Sequence, residues 1–221
     1  MTTANQQNEN PEKNLMADVV TTLCGLIELR DTHHSRHIER VASFCGILAS
    51  SLWSGPYSNQ IDDEFVDSIP LASALHDIGK SQIPSYILMK PAALSPDERE
   101  ILSSHTTMGA AILSNILWKH PSSRFLRMAR EIALSHHERW DGSGYPEGLG
   151  GEEIPLAARI TAVANIYDVM RSAQVYKPAI PHKETLLAIS GDFKNRYDPE
   201  IVRFFLQIAD EVEKIYDSFE G

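Results

Sequence analysis

Apolar residues recur at intervals of three and four along most of the chain, and strict alternation over the length of a strand is hard to find. Intervals of three and four place apolar side chains on one face of an α-helix, whereas alternation places them on one face of a strand. The pattern therefore predicts an all-α fold. The 221 residues are enough for one hydrophobic core, and no Gly/Ser-rich or Pro-rich linker divides them. We expect a single helical domain over residues 14–221, preceded by a polar, disordered tail over residues 1–13.

Capping and turn-forming residues indicate where the helices begin and end. Ser95 and Glu98 are spaced as a capping box, and Pro96 suits the first turn of the helix that follows. A loop is expected over residues 140–153, which hold five of the twelve glycines. The predicted helices span residues 15–30 (with Val19, Leu23, Leu26 and Ile27 on one face), 34–52, 63–78, 95–118, 123–136 and 155–173, and a last one begins at Asp198.

The charge balance and the hydropathy restrict the classes of partner. Acidic residues outnumber basic residues by 30 to 20, which gives a formal net charge of −10. This argues against a nucleic-acid polymer as the main partner, because binding to a phosphate backbone needs a basic surface. It is compatible with a small nucleotide that metal ions hold in a pocket. No stretch approaches the roughly eighteen apolar residues of a membrane span, and the amino terminus lacks the apolar core of a signal peptide, so we expect a cytoplasmic protein without membrane insertion.

Several common catalytic signatures are missing from the sequence. His137-Glu138 is not followed by the second histidine of HExxH, residues 142–144 do not form a GxSxG elbow, and there is no GxxxxGK[ST] loop. Cys24 and Cys45 lie in helical apolar patterns outside any CxxC pair, so we interpret both as buried thiols. The sequence gives no support to serine or cysteine nucleophile chemistry.

Most of the nine histidines fall in groups or beside an aspartate, whereas His120 and His182 stand alone and are interpreted as structural or surface residues. Neighbouring side chains on a helix diverge by about a hundred degrees, so an adjacent pair can serve two neighbouring ions. Imidazole and carboxylate are ligands of Fe, Mn, Zn and Ni, and a carboxylate has two oxygens with which to bridge two ions. The candidate positions are His76-Asp77, His105, His136-His137 and the cluster of His33, His34 and His37.

Two motifs in the chain carry a resemblance to a known family. The segment His-Asp-Ile-Gly-Lys at residues 76–80 is followed by His-His-Glu-Arg-Trp-Asp-Gly-Ser-Gly-Tyr-Pro at residues 136–146. In this order they resemble the HD-GYP family, a bacterial branch of the HD metal-dependent phosphohydrolases, and the likeness extends over residues 15–206. The resemblance implies an all-helical HD fold and hydrolysis of cyclic di-GMP to linear pGpG or onward to GMP.

The resemblance also implies roles for individual residues. His37, His76 and Asp77 would bind a first divalent ion, and Asp77 would bridge to a second ion bound by His105, His136 and His137. Iron and manganese are the first choices, and nickel and zinc also suit these ligands. A water shared by both ions would become a bridging hydroxide that attacks phosphorus. Lys80 would face the scissile phosphate and Lys177 would reach a substrate phosphate, whereas a loop near the substrate, implicated in contacts with diguanylate cyclase (GGDEF) domains, comprises Gly144, Tyr145 and Pro146.

Three positions depart from the family pattern. Asn165 replaces an aspartate that ligates the first ion, and it is either a weaker ligand or an ordinary helix residue, with Asp168 one turn later as a partial substitute. Gln174 replaces a phosphate-binding arginine, and Arg171 either takes over that contact or is a solvated surface residue. His33 replaces the glutamate of members with three ions, which favours two ions here, and His34 is expected to face outward.

Two functions from different classes therefore remain open. The first is a cyclic di-GMP phosphodiesterase, with activity reduced by Asn165 and Gln174. The second is a catalytically impaired signalling module that binds metal or nucleotide, or docks a cyclase domain. The amphipathic terminal helices and the family resemblance also permit a homodimer.

Overall fold

The computed structural model describes residues 11–28, 36–173 and 178–220. These residues form α-helices and two 3-10 helices, at Ile78–Gln82 and Gly151–Glu153, without any strand among them, so the all-α prediction is confirmed. The α-helices are α1 (Pro11–Glu28), α2 (His37–Trp53), α3 (Asp63–Ser73), α4 (Ser85–Leu88), α5 (Pro96–Ser103), α6 (His105–Leu117), α7 (Arg124–Ser135), α8 (Leu156–Arg171), α9 (His182–Ser190), α10 (Pro199–Gln207) and α11 (Ala209–Glu220).

Helix starts that depend on a capping side chain lie where the sequence predicts them. The capping box of Ser95 and Glu98 is formed at the start of α5. The Ser123 hydroxyl accepts a hydrogen bond from the Leu126 amide at the start of α7. The Asp198 carboxylate accepts from the amide of Glu200 at the start of α10. Local side-chain capping satisfies the orphan amides of a first helical turn, which is why these starts can be predicted.

Other helices differ from the prediction. The predicted helix over residues 63–78 ends at Ser73, and the ring of His76 hydrogen-bonds the Ser73 carbonyl at 2.8 Å. His76 and Asp77 therefore lie in a turn rather than within a helix. The predicted helix over residues 95–118 is interrupted at Ser104, so His105 begins a separate helix. Helices α4 and α9 were not predicted, and the last predicted helix divides at Ile208 into α10 and α11.

The centre of the hydrophobic core is α8. Twelve of its sixteen residues are buried, which is the pattern of a helix surrounded by other elements rather than one with a single apolar stripe. It packs against α2, α3, α7, α9 and α10. Large side chains that are fully buried in the core include Phe44, Leu48, Ile132, Ile160, Tyr167 and Phe205. Because α8 also carries Asn165 and Asp168, the core fixes the position of both polar side chains.

Helix α1 buries a different side from the predicted apolar face. Cys24 is 2% exposed, whereas Val19, Leu23 and Leu26 are 48%, 54% and 57% exposed. The helix contacts α2, α3 and the first 3-10 helix through the side that carries Cys24. In the described part of the chain, every helix is too short or too polar to cross a membrane. The predicted tail over residues 1–13 falls mainly on residues outside the described ranges.

Gly79 allows the turn that carries Asp77 to approach α6 closely. A Cβ atom at this position would lie 1.9 Å from the carbonyl oxygen of His105 and 2.6 Å from the amide nitrogen of Gly109. No side chain fits in that space, so a glycine is needed for this contact. The contact sets the start of α6 directly beside the His76-Asp77 turn.

Candidate metal centre

Five histidines and one aspartate from separate parts of the chain converge at the ends of their helices. His37 and His105 are the first residues of α2 and α6, the pair of histidines at 136 and 137 directly follows α7, and the His76-Asp77 pair lies in the turn after α3. Their ligand atoms form two groups, and within each group all of these atoms lie within 4.8 Å of one another. One group is His37, His76 and Asp77, and the other is Asp77, His105, His136 and His137. Asp77 belongs to both groups.

Four of the five imidazole rings are fixed by a hydrogen bond at Nδ1, which leaves Nε2 to face the cluster. The partners are the Ser73 carbonyl for His76 at 2.8 Å, the Leu102 carbonyl for His105 at 2.7 Å, the Ile132 carbonyl for His136 at 3.0 Å and the Asp168 carboxylate for His37 at 2.6 Å. Such bonds fix the tautomer and the ring orientation of metal-binding histidines. Carbonyl oxygens in the last turn of a helix supply three of them.

Several buried polar atoms at the cluster have no hydrogen-bond partner. They are Nε2 of His76, His105 and His136 and Oδ1 of Asp77, and Oδ1 of Asn165, one turn before Asp168 on α8, also has no hydrogen-bond partner. The Nε2 atoms of His76 and His105 lie 3.1 and 3.2 Å from oxygens of Asp77, but without the geometry of a hydrogen bond. Burying unpaired polar atoms is costly, and their concentration at one place fits a site that divalent cations would fill. The residues present therefore fit metal ions.

The pKa values of three of the histidines, His37, His136 and His137, favour the neutral form. Burial, followed by repulsion from His105, lowers the pKa of His137 to about 3. Burial also holds the pKa of His136 well below its usual value, with His137 adding to the effect. For His37, burial lowers the pKa although the Asp168 carboxylate opposes the change. Neutral imidazole is the form that binds a metal ion.

The carboxylate of Asp77 is ionised and sits next to a lysine. Burial alone would raise the pKa of Asp77, but attraction to Lys80 and then to His76 outweighs it, so that the pKa lies well below its usual value. Conversely, burial would lower the pKa of His76, and attraction to Asp77 raises it on balance. Nζ of Lys80 lies 2.9 Å from Oδ2 of Asp77, and its side chain is 21% exposed. The lysine thus presents a positive charge between the cluster and solvent.

The loop after α7 covers one side of the cluster. The ring of Tyr145 stacks on the ring of His137, with centroids 4.8 Å apart and planes inclined by 19°. Pro146, joined to Tyr145 by a cis peptide bond, is exposed. A Cβ atom at Gly144 would lie 2.4 Å from the Arg139 amide nitrogen, so the loop backbone lies directly on the segment after the histidine pair. The three residues of the predicted signature loop are therefore adjacent to the cluster.

Three supporting residues were not predicted from the sequence. Glu138 is buried, and its Oε1 accepts hydrogen bonds from the amides of Glu147 and Gly148 at 2.7 and 3.1 Å. Arg40 is buried and donates from Nε to Oδ1 of Asp168 at 2.5 Å. Asp168 is considered above only as a substitute ligand. One of its carboxylate oxygens hydrogen-bonds with His37, and the other accepts a hydrogen bond from Arg40. It therefore supports His37 rather than replacing the missing carboxylate at position 165.

Arg171, the candidate phosphate contact on α8, pairs with two carboxylates. Its guanidinium lies 3.6 Å from Glu213 and 3.4 Å from Asp217, both on α11. It also lies 4.5 Å from the ring centroid of Tyr216. Arg171 lies on α8, as the helical spacing predicts, and its guanidinium pairs with these two carboxylates of α11. A contact of Arg171 with a substrate phosphate, in place of the family arginine at position 174, stays a prediction.

The remaining predicted residues have mixed outcomes. His33, His34, Gln174 and Lys177 lie outside the described residues. Cys24 and Cys45 are buried thiols outside any disulfide, as predicted. His120 is exposed, and His182 is buried with Nδ1 2.7 Å from the Tyr167 hydroxyl, so both have the structural or surface character predicted for them.

Comparison with protein families decides the classification. The family model described as the HD domain matches residues 22–201. The chain belongs to the HD domain family. A cyclic di-GMP phosphodiesterase of Thermotoga maritima is 41% identical to this HD domain over 204 residues, which cover 92% of this chain and 52% of the relative. The chain spans about half the length of the curated relatives it matches.

Two solved structures share the fold of this HD domain. One is a cyclic GMP-AMP specific phosphodiesterase of Vibrio cholerae, with a TM-score of 0.64 and 18% identity over 93% of this chain and 51% of that chain. The other is an HDG"Y"P protein of Bdellovibrio bacteriovorus, with a TM-score of 0.59 and 18% identity over 91% of this chain and 66% of that chain. These two likenesses show the fold alone, and the family match and the curated relatives confirm the HD-GYP resemblance of the motifs.

Proposed function

We propose that this HD domain hydrolyses a phosphodiester bond of a cyclic dinucleotide, with cyclic di-GMP as the first candidate, and that it uses two divalent cations. The proposal rests on Asp77, which belongs to both groups of ligand atoms. It is the only residue shared by the two groups of ligand atoms in the described part of the chain. A carboxylate between two sets of imidazoles suits a pair of cations a few ångströms apart, the arrangement used by many phosphoester hydrolases.

The two groups would hold one ion each. The first ion would be bound by His37, His76 and Asp77, with Oδ1 of Asn165 as a neutral fourth ligand. The second would be bound by Asp77 and the histidines at 105, 136 and 137. When bound, the two ions supply a water activated for attack near neutral pH and positive charge next to the phosphoryl oxygens.

The residues around the ions bind and orient the substrate phosphate. Lys80 would donate a hydrogen bond to a non-bridging phosphate oxygen. Its ammonium lies 2.9 Å from the carboxylate shared by both groups, next to the proposed ions, which supports this role. Charge that gathers on those oxygens during the transfer is stabilised by a cation held in position beforehand. The hydrogen bonds at Nδ1 keep the rings from rotating, so the ligand atoms need little rearrangement when the substrate arrives.

Similarity to named relatives supports the substrate class. The relative of Thermotoga maritima, at 41% identity, is named for cyclic di-GMP, whereas a Vibrio cholerae relative named for 3′3′-cGAMP is 34% identical. The greater sequence identity lies with the former, which favours cyclic di-GMP and linear pGpG or GMP as products. Substrate contacts by Gly144, Tyr145, Pro146 and Lys177, docking of a diguanylate cyclase domain and a homodimer remain predictions.

Asn165 favours a second candidate function, a signalling module that binds metal or nucleotide with little turnover. Its amide oxygen is buried without a hydrogen-bond partner, which suits a ligand, but an amide is neutral and a weaker donor than the aspartate of the family pattern. Weak binding of the first ion would leave the second group filled alone. Such a protein would bind a cyclic dinucleotide without cleaving it.

One assay separates the two functions. Purified protein loaded anaerobically with Fe²⁺ or Mn²⁺ is incubated with cyclic di-GMP, in parallel with 3′3′-cyclic GMP-AMP, and the products are separated by chromatography. We expect linear product from cyclic di-GMP and its loss in Asp77→Asn, which removes the shared carboxylate. Binding of cyclic di-GMP without product would support the signalling module. Product from cyclic GMP-AMP alone would identify cyclic GMP-AMP, not cyclic di-GMP, as the substrate.

A further inference from the structure

His137 differs from the other four histidines of the cluster in how its ring is held. The rings of His37, His76, His105 and His136 each have a hydrogen bond at Nδ1. Neither ring nitrogen of His137 has a hydrogen-bond partner among the described residues. A metal-binding imidazole without such a bond needs another source of orientation, because rotation about the side chain would move Nε2 away from the ion.

Among the rings around His137, the ring of Tyr145 is the one most nearly parallel to it. The two rings are nearly parallel, at 19°, with centroids 4.8 Å apart. The other neighbours of the imidazole are His136 at 4.2 Å and 44°, and His105 at 5.1 Å and 88°. Offset stacking of this kind is favourable and restricts ring rotation. Tyr145 and the two histidines therefore enclose the ring of His137 on several sides.

The loop that carries Tyr145 is itself held against the histidine pair. Its backbone at Gly144 lies so close to residue 138 that a Cβ atom would come within 2.4 Å of the Glu138 Cα. Beyond Tyr145, the buried carboxylate of Glu138 accepts hydrogen bonds from two consecutive amides at residues 147 and 148. The amide of Tyr145 also donates to the carbonyl oxygen of His137 at 3.3 Å. The position of the tyrosine ring is thus fixed from both sides of the loop.

We propose that Tyr145 is a positioning residue for His137, and that its ring, not its hydroxyl, holds the imidazole in the orientation needed to bind the second ion. This inference rests on the proposed role of the cluster in binding two cations. It assigns to the loop tyrosine a function in metal affinity that is separate from any contact with substrate. The hydroxyl is not required, because the stacking involves only the ring faces.

The test is a titration with Mn²⁺ alone, followed by the electron paramagnetic resonance signal of free Mn²⁺, in the absence of substrate. We expect Tyr145→Ala to weaken binding of one of two ions by about tenfold to a hundredfold, the usual effect of removing an orienting partner. Tyr145→Phe keeps the ring and should bind both ions as the parent does. Tyr86, which is 66% exposed on α4, provides a matched control in Tyr86→Ala. Circular dichroism and thermal unfolding of each apo protein show whether it is folded.

A double-mutant comparison ties the effect to His137. In a His137→Ala background, Tyr145→Ala should cause no further loss of Mn²⁺ affinity, because the ring it orients is gone. Additive losses, an unchanged affinity in Tyr145→Ala, or an equal loss in Tyr145→Phe would each overturn the positioning role while leaving the two-ion site intact. Failure of the parent protein to bind two Mn²⁺ ions would overturn the site itself and this role with it.

Discussion

Nδ1 of His37 lies 2.6 Å from Oδ2 of Asp168 in the buried contact between α2 and α8. The second oxygen of Asp168 accepts from Nε of Arg40 at 2.5 Å, and both side chains of this pair are buried. Burial would raise the pKa of Asp168, but its hydrogen bonds with His37 and Arg40 lower it on balance, so the carboxylate is ionised. A carboxylate in this position fixes the ring of His37 and increases its basicity as a ligand.

Asp168→Asn should weaken binding of the first ion by about tenfold to a hundredfold, because the amide is a poorer acceptor for His37. It should also destabilise the fold by about 3–5 kcal/mol, because it removes the ionic partner of Arg40 in a buried ion pair. Mn²⁺ titration and urea unfolding of the apo protein measure the two effects. Asp192→Asn, at an exposed turn, is the control. Parental stability and parental affinity in Asp168→Asn would show that the carboxylate supports neither function.

Asn165→Asp should increase both the affinity for the first ion and the turnover of cyclic di-GMP. The present amide oxygen is buried without a hydrogen-bond partner, and a carboxylate there would offset the charge of the cation. Asn115, exposed on α6, supplies a matched control for the added charge in Asn115→Asp. If the aspartate variant has the affinity and turnover of the parent, position 165 does not face the first ion.

Gly144→Ala should move the loop away from the histidine pair. Its methyl group would lie 2.4 Å from the Arg139 amide and the Glu138 Cα, a contact that backbone atoms cannot relieve without a shift. We expect weaker binding of the second ion and a loss of about 1–3 kcal/mol in the free energy of unfolding, as for other overpacked sites. Gly25→Ala is the control, since a Cβ atom there meets nothing within 4 Å. Unchanged metal binding in Gly144→Ala would mean that the loop position has no influence on the ions.

Lys80→Ala should lower turnover by about a hundredfold to a thousandfold, the loss typical of removing one group that stabilises developing charge. Its metal content should not fall, because removal of a cation 2.9 Å from Asp77 leaves that carboxylate more available to the ions. Elemental analysis measures the metal content, and product chromatography on the same preparation measures the turnover. Lys119→Ala, at an exposed position after α6, is the control. An equal fall in metal and turnover would contradict the assignment of Lys80 to the phosphate.

The sequence could predict the fold class, several helix starts and the residues of the cluster, because these depend on local signals. Capping by Ser95, Ser123 and Asp198 involves amides two or three residues away, so the pattern is readable along the chain. The ligand candidates stand out because His76-Asp77 and the histidine pair at 136 and 137 are short, distinctive motifs within an extended family pattern.

The supporting interactions could not be predicted in the same way, because their partners are distant in sequence. Asp168 is 131 residues from His37 and 128 residues from Arg40. Arg171 has the helical spacing of a phosphate contact, yet its partners are carboxylates on α11, more than forty residues later. Gly79 packs closely against the start of α6, directly after the interruption at Ser104, and no local propensity encodes this contact.

The central claim is that two cations share Asp77, and anomalous scattering from a crystal grown with Mn²⁺, measured on both sides of the manganese absorption edge, tests it most directly. We expect two anomalous peaks per chain, with a carboxylate oxygen of Asp77 directed at each. One peak should lie beside His37 and His76, and the other beside His105, His136 and His137. A single peak, or manganese bound away from Asp77, would contradict it.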